Sequence, residues 1–150
     1  MKIAWIGDGN NMANSWINAC SILGLRLVLA CPPGYQPDFR VVEKMNAHIR
    51  IVNDPTEAAK DADVINTDVW FSMGQEDERE KRLQHFSGYQ VNESLLDLAK
   101  ADAMVMHCMP AHRGEEISEA VLEGPHSVVL DQAENKLYFH QALLLKLIKG

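Results

Sequence analysis

The sequence predicts an α/β protein: a doubly wound, Rossmann-like parallel sheet with helices on both faces, in a single domain. Short apolar runs alternate along the chain with segments whose apolar residues recur at helical spacing. The runs are apolar at nearly every position rather than at every second one, which marks strands covered on both faces, as in parallel sheets. The length of 150 residues suits one domain, and no linker, repeat or low-complexity tract divides it.

The elements follow in order. Residues 3–6 form the first strand, ended by Gly7-Asp8-Gly9. From Met12 the period changes: Met12, Trp16, Cys20 and Leu23 share a helical stripe, and Gly24 closes that helix. Residues 25–30 are the second strand, ended by Pro32-Pro33-Gly34. A helix over about 39–48 leads to a third strand at 49–52. Asp54-Pro55-Thr56-Glu57 has the form of a helix start with Pro55 in the first helical position, and this helix runs to about residue 61. Residues 64–69 are the fourth strand. The charged stretch 75–86 reads as a solvated helix, with Asp77/Lys81 and Glu78/Arg82 at i,i+4. A helix at 92–100, a strand at 104–107 stopped at Pro110, and a short helix at 117–122 come next. A last strand at 127–130 and a long apolar helix from about Asn135 complete the pattern.

Composition narrows the function. Formal charge is −7 with no basic cluster, which argues against nucleic acid or an anionic membrane as partner. No apolar stretch approaches the ~20 residues of a membrane span, and the N-terminal run is too short for a signal peptide. Cys20, Cys31 and Cys108 cannot all pair with one another and form no C-x-x-C, which fits a reducing, cytoplasmic setting.

Three strand ends carry chemistry: Asp8-Gly9-Asn10-Asn11, Asp68 to Gly74, and His107-Cys108-Met109-Pro110. In a parallel sheet all three fall on one edge, where such folds bind ligands. Gly7-x-Gly9 invites a dinucleotide reading, but Met12 replaces the third glycine and no acidic residue ends the second strand. No cofactor is therefore expected. The amides of Asn10 and Asn11 both donate and accept, which suits a zwitterion such as an amino acid; either also serves as a helix N-cap. Asp68 suits a substrate ammonium group and Ser72 a carboxylate or an ammonium, or the two cap their own loop and helix. Cys108 is either a small buried hydrophobe or an activated thiol. His107 is poorly placed as its base, because adjacent strand residues point to opposite faces. A zinc site from His107, Cys108 and His112 lacks a fourth ligand and conventional spacing, so no metal is expected.

Asp8-Gly9-Asn10-Asn11, Asp68-x-x-x-Ser72-Met73-Gly74, His107-Cys108-Met109-Pro110 and Ala133-Glu134-Asn135 stand here in the order in which they occur in ornithine carbamoyltransferases, which the chain resembles from Lys2 to its last helix. The resemblance covers the C-terminal, ornithine-binding half of that family's subunit. Aspartate carbamoyltransferases are similar in fold but lack the Ser-Met-Gly loop and the cysteine. The resemblance implies carbamoyl transfer from carbamoyl phosphate to the side-chain amine of L-ornithine. It implies Asn11, Asp68, Ser72 and Met73 as contacts to ornithine's α-amino and carboxylate groups and Cys108 as proton acceptor beside the reacting amine. Cys108, Met109 and Lys136 fall on contacts to carbamoyl phosphate, and the bond before Pro110 is cis in the family. Leucine is usual where Met109 stands, and arginine where Lys136 stands; lysine keeps the charge but loses the two-pronged donor. The Ser-Thr-Arg-Thr-Arg phosphate loop belongs to the N-terminal, carbamoyl-phosphate-binding domain, which is absent here, so the chain alone is expected to be inactive. The family's full-length assembly is trimer-based and homo-oligomeric. A non-catalytic amino-acid-binding module and a carbamoyltransferase for a related amine are the alternatives.

Overall fold

The protein is seen in a computed structural model that describes residues 1–43, 48–71 and 78–149. Strands β1 (Lys2–Ile6), β2 (Arg26–Ala30), β3 (Ile49–Val52), β4 (Val64–Thr67) and β5 (Met104–His107) form one sheet in the order β3-β2-β1-β4-β5. Every neighbouring pair is parallel. The helices are α1 (Asn11–Leu23), α2 (Phe39–Val42), α3 (Pro55–Ala59), α4 (Arg79–His85), α5 (Glu93–Leu96), α6 (Glu119–Leu122) and α7 (Val129–Lys149).

The pleat sends alternate strand residues to opposite faces, and both faces are covered. Ile3, Trp5, Leu27 and Leu29 pack with Ile17 and Cys20 of α1 on one side. Ala4, Ile6, Val28, Ile65 and Val105 pack on the other with Ala58 of α3, Phe86 and Val121 of α6. This explains why the strands read as continuous apolar runs. Helix α1 starts at the Asn10 N-cap, whose side chain accepts from the backbone N–H of Met12 and Ala13, and ends on Gly24 at φ 66°. Only glycine takes that left-handed turn without steric cost.

The expected last strand at 127–130 is not formed. Val105 N–H donates to His126 O at 2.8 Å and Val128 N–H donates to Val105 O at 3.0 Å, which makes one bridge at the sheet edge. Gln132 N–H then donates to Val128 O at 2.8 Å, and α7 is under way at Val129, six residues before the expected start. Four residues, Ser-Val-Val-Leu, have no period long enough to separate strand from helix, and here helical hydrogen bonding wins. Other helices are shorter than expected: α5 spans Glu93–Leu96, followed by turns, and α6 starts after a Ser118 N-cap. Of the helix expected over 39–48, α2 forms only the first four residues, residues 43 and 48 lie in turns, and residues 44–47 lie outside the described residues.

Candidate functional site at the carboxyl edge

The chain leaves β1 for β2 on one side of the sheet, while β4 lies on the other, so the strand order reverses between β1 and β4. Two outgoing loops part at such a point and leave a crevice. Asn10 stands on one side of it and Asp68 on the other, joined by a bond from Asn10 Nδ2 to Asp68 Oδ2 at 2.9 Å. Cys108, from the next strand over, donates its S–H to Asp68 Oδ1 at 3.0 Å, and Val69 N–H donates to the same oxygen at 2.9 Å. All three chemically loaded strand ends therefore meet, and Asp68 is their hub. It is 8% exposed.

Burial raises the pKa of the Cys108 thiol, and the hydrogen bond to Asp68 and that group's charge add to it, so that it stands at about 12. At neutral pH the sulfur is a protonated thiol, not a thiolate. His107 takes no part in activating it. Its Nδ1 accepts from Met109 N–H at 2.9 Å and its Nε2 faces Glu116 Oε1 at 3.2 Å, which assigns the neutral tautomer with the proton on Nε2. Asp68, His107 and Cys108 cluster closely enough to suggest metal ligands. Both imidazole nitrogens are already engaged, however, so the histidine offers no free lone pair. The Met109–Pro110 bond is cis. Lys136 of α7 donates from Nζ to Cys108 O at 2.8 Å, and Gln132 Oε1 accepts from His107 N–H at 3.1 Å.

The first loop is held by close packing and by an ion pair. A Cβ on Gly9 would lie 2.2 Å from Pro37 N, so glycine is needed for this approach. Arg82 of α4 donates to Asp8 Oδ2 at 3.0 Å and to Trp70 O at 2.8 Å, tying the first loop to the second. Its guanidinium also lies 4.9 Å from the Tyr35 ring centroid. Burial raises the pKa of the Asp8 carboxyl, while Arg82 opposes that rise.

Among the residues singled out from the sequence, Asp68 and Cys108 are brought into contact, with Met109 and Lys136 beside them. Asn11 is exposed at the first position of α1, while its neighbour Asn10 makes the cap and the cross-crevice bond. Ser72 and Met73 lie outside the described residues. Arg82 was missed. Its i,i+4 pair with Glu78 does form, at 3.2 Å, but Arg82 itself is 7% exposed rather than on a solvated face. Phe86, four residues on and fully buried, shares that face and was the available signal.

Comparison with known proteins identifies the family. The family described as "Aspartate/ornithine carbamoyltransferase, Asp/Orn binding domain" matches residues 1–147. The chain belongs to this family. The ornithine carbamoyltransferase of Geobacter sulfurreducens is 54% identical over 99% of this chain and 50% of its own length. That of Pyrococcus furiosus has a solved structure superposing with a TM-score of 0.91 at 47% identity, over 97% of this chain and 49% of that one. The anabolic ornithine carbamoyltransferase of Campylobacter jejuni superposes at 0.92 with 40% identity, over 99% and 51%. The chain thus spans about half the length of the carbamoyltransferases it matches. Among the described residues no helix is long and apolar enough to cross a membrane.

Proposed function

We propose that this chain is the ornithine-binding half of an ornithine carbamoyltransferase. The enzyme would move the carbamoyl group of carbamoyl phosphate onto the side-chain amine of L-ornithine, giving L-citrulline and phosphate. The proposal rests on the Asp68 carboxylate at the crevice with the Cys108 thiol 3.0 Å away. A carboxylate accepts about four hydrogen bonds. Among the described residues Asn10, Val69 and Cys108 use three of these sites, which leaves one on Oδ2 for a substrate ammonium N–H.

An ammonium is not a nucleophile, so ornithine's side-chain nitrogen must lose a proton before it attacks the carbamoyl carbon. Cys108 serves here as a relay. As the ammonium passes a proton to Sγ, the S–H proton already directed at Asp68 Oδ1 moves onto the carboxylate. One proton goes from ammonium to Asp68, and no free thiolate forms, in keeping with a thiol whose pKa is about 12. Asn11, with Ser72 and Met73, takes the amino and carboxylate groups at the other end of the substrate. Cys108, Met109 and Lys136 face carbamoyl phosphate. Its phosphate is held by a further domain of the same enzyme, in a homo-oligomeric assembly. Three cysteines without a disulfide suit a cytosolic location.

Calorimetry with this chain is expected to show weak ornithine binding that falls at least about tenfold in Asp68→Asn, since a charge-assisted bond is lost. With both substrates the chain alone should make no citrulline, because catalysis requires both reactants to be held together. Unchanged ornithine affinity in Asp68→Asn, or turnover by the chain alone at the rate of an intact enzyme, would overturn the proposal.

A further inference from the structure

Beyond the crevice, the turn that follows Pro110 brings His112, Glu115 and Glu116 together. His112 Nδ1 lies 3.6 Å from Glu115 Oε2 and 3.9 Å from Glu116 Oε2. Both separations exceed a hydrogen bond. All three atoms are shielded from solvent, and among the described residues none has a hydrogen-bond partner. Glu116 is wholly buried. Unsatisfied buried polar atoms are rare and costly, and three converging on one point call for an explanation.

We propose that these three side chains form a site for a divalent first-row metal ion, Zn2+ being the best match. Two ligand atoms each about 2.1 Å from a tetrahedral ion stand roughly 3.4 Å apart, so the observed separations need only a small closure. Two carboxylates and a neutral imidazole balance the ion's charge, and three protein ligands leave a fourth position for water.

The rest of the cluster behaves as an outer shell. Glu116 Oε1 accepts from His112 N–H at 2.6 Å and faces His107 Nε2 at 3.2 Å, which leaves Oε2 without a partner among the described residues. Glu115 Oε1 is held by the Arg79 guanidinium, again leaving Oε2. The His112 ring is stacked on Phe71, with centroids 5.2 Å apart and planes at 20°, which fixes its orientation. Each ligand thus has its second atom or its ring plane immobilised, as metal ligands generally do. The local chain supports the arrangement: Glu115 N–H donates to His112 O at 3.0 Å, and Gly114 turns at φ 84°. The His112 side chain is 42% exposed, which gives the ion a way in.

The test uses this chain, stripped with a chelator and titrated with Zn2+ by calorimetry and with Co2+ by visible absorption. One equivalent should bind and raise the Tm. The Co2+ spectrum should show d–d bands without a thiolate-to-metal charge-transfer band. His112→Ala and Glu115→Gln should each weaken binding by at least about tenfold, and Arg79→Leu by about tenfold or more through the outer shell. Cys108→Ser should bind as the parent does, which separates this site from the crevice thiol. Far-UV circular dichroism confirms that each variant is folded. Absence of binding by the folded chain would overturn the proposal, as would loss of binding in Cys108→Ser or unchanged affinity in folded His112→Ala and Glu115→Gln.

Discussion

The two edges of the sheet handle charge in opposite ways. At the amino edge, Lys2, Asp63 and Lys100 meet near the surface, where Lys100 pairs with Asp63 and both side chains remain substantially exposed. At the carboxyl edge, Arg82 and Asp8 pair with side-chain exposures of 9% and 13%, and Asp68 serves three donors in the same buried layer. An exposed pair trades one hydrated state for another and changes little. A buried pair has already given up its water, so neither partner can be removed cheaply. The amino edge is solvated. The carboxyl edge is organised, and its polar groups fix the loops that border the crevice.

Breaking the buried pair is the severest test of that contrast. Arg82→Met leaves Asp8 uncompensated and frees Trp70 O, so urea unfolding at neutral pH should show a loss of about 3–5 kcal/mol. The loss should be smaller in acid. With Arg82 gone, burial and the nearby Asp68 charge outweigh the Gly9 backbone N–H, and the folded pKa of Asp8 rises further above the unfolded value. A group shifted that way stabilises below its unfolded pKa and loses that contribution as pH rises through the folded one. Parallel titrations at pH 5 and pH 7 check the sign. The next largest effect belongs to Gly9→Ala, where the new Cβ meets backbone 2.2 Å away. Overpacking of this kind costs about 1–3 kcal/mol, and a silent substitution would mean that the Gln36–Pro37 segment gives way freely.

Chemistry at Cys108 sharpens the comparison further. The thiol should alkylate slowly at neutral pH and accelerate only in strong alkali, given a pKa of about 12. Asp68→Asn removes the charge and weakens the acceptor but leaves the burial, so alkylation at pH 8 should speed up while remaining slower than a free thiol. No change would mean that burial alone sets the thiol's behaviour. The smallest effect is expected at the other edge: Lys100→Ala should leave the urea midpoint within experimental error and be indifferent to salt. A loss approaching that of Arg82→Met would erase the distinction between the edges.

Much of this was legible in the sequence, for identifiable reasons. Near-continuous apolar strands revealed the two-sided sheet, and parallelism then placed Asp68 and Cys108 on one edge without knowledge of a single contact. What escaped depended on contacts between distant segments. Arg82 and Glu78 have the spacing of a solvated pair, and nothing local says that Asp8, 74 residues away, draws the arginine inward. Asn10 and Asn11 are chemically identical neighbours; the helix phase decides which caps and reaches Asp68. Residues 127–130 carry strand-like composition, but the edge of the sheet takes one bridge from them and no more.

Helix α7 illustrates a different consequence of periodicity. Its two ties to the crevice, Gln132 on His107 N–H and Lys136 on Cys108 O, are four residues apart. At about 3.6 residues per turn they project from nearly the same side. The helix is therefore keyed to β5 by rotational phase, like a cog meeting a rack with two teeth. One alanine inserted between Val129 and Gln132 would swing both teeth about 100° around the axis and disengage them together. The same alanine inserted after Lys136 would leave them meshed and rotate only the far end.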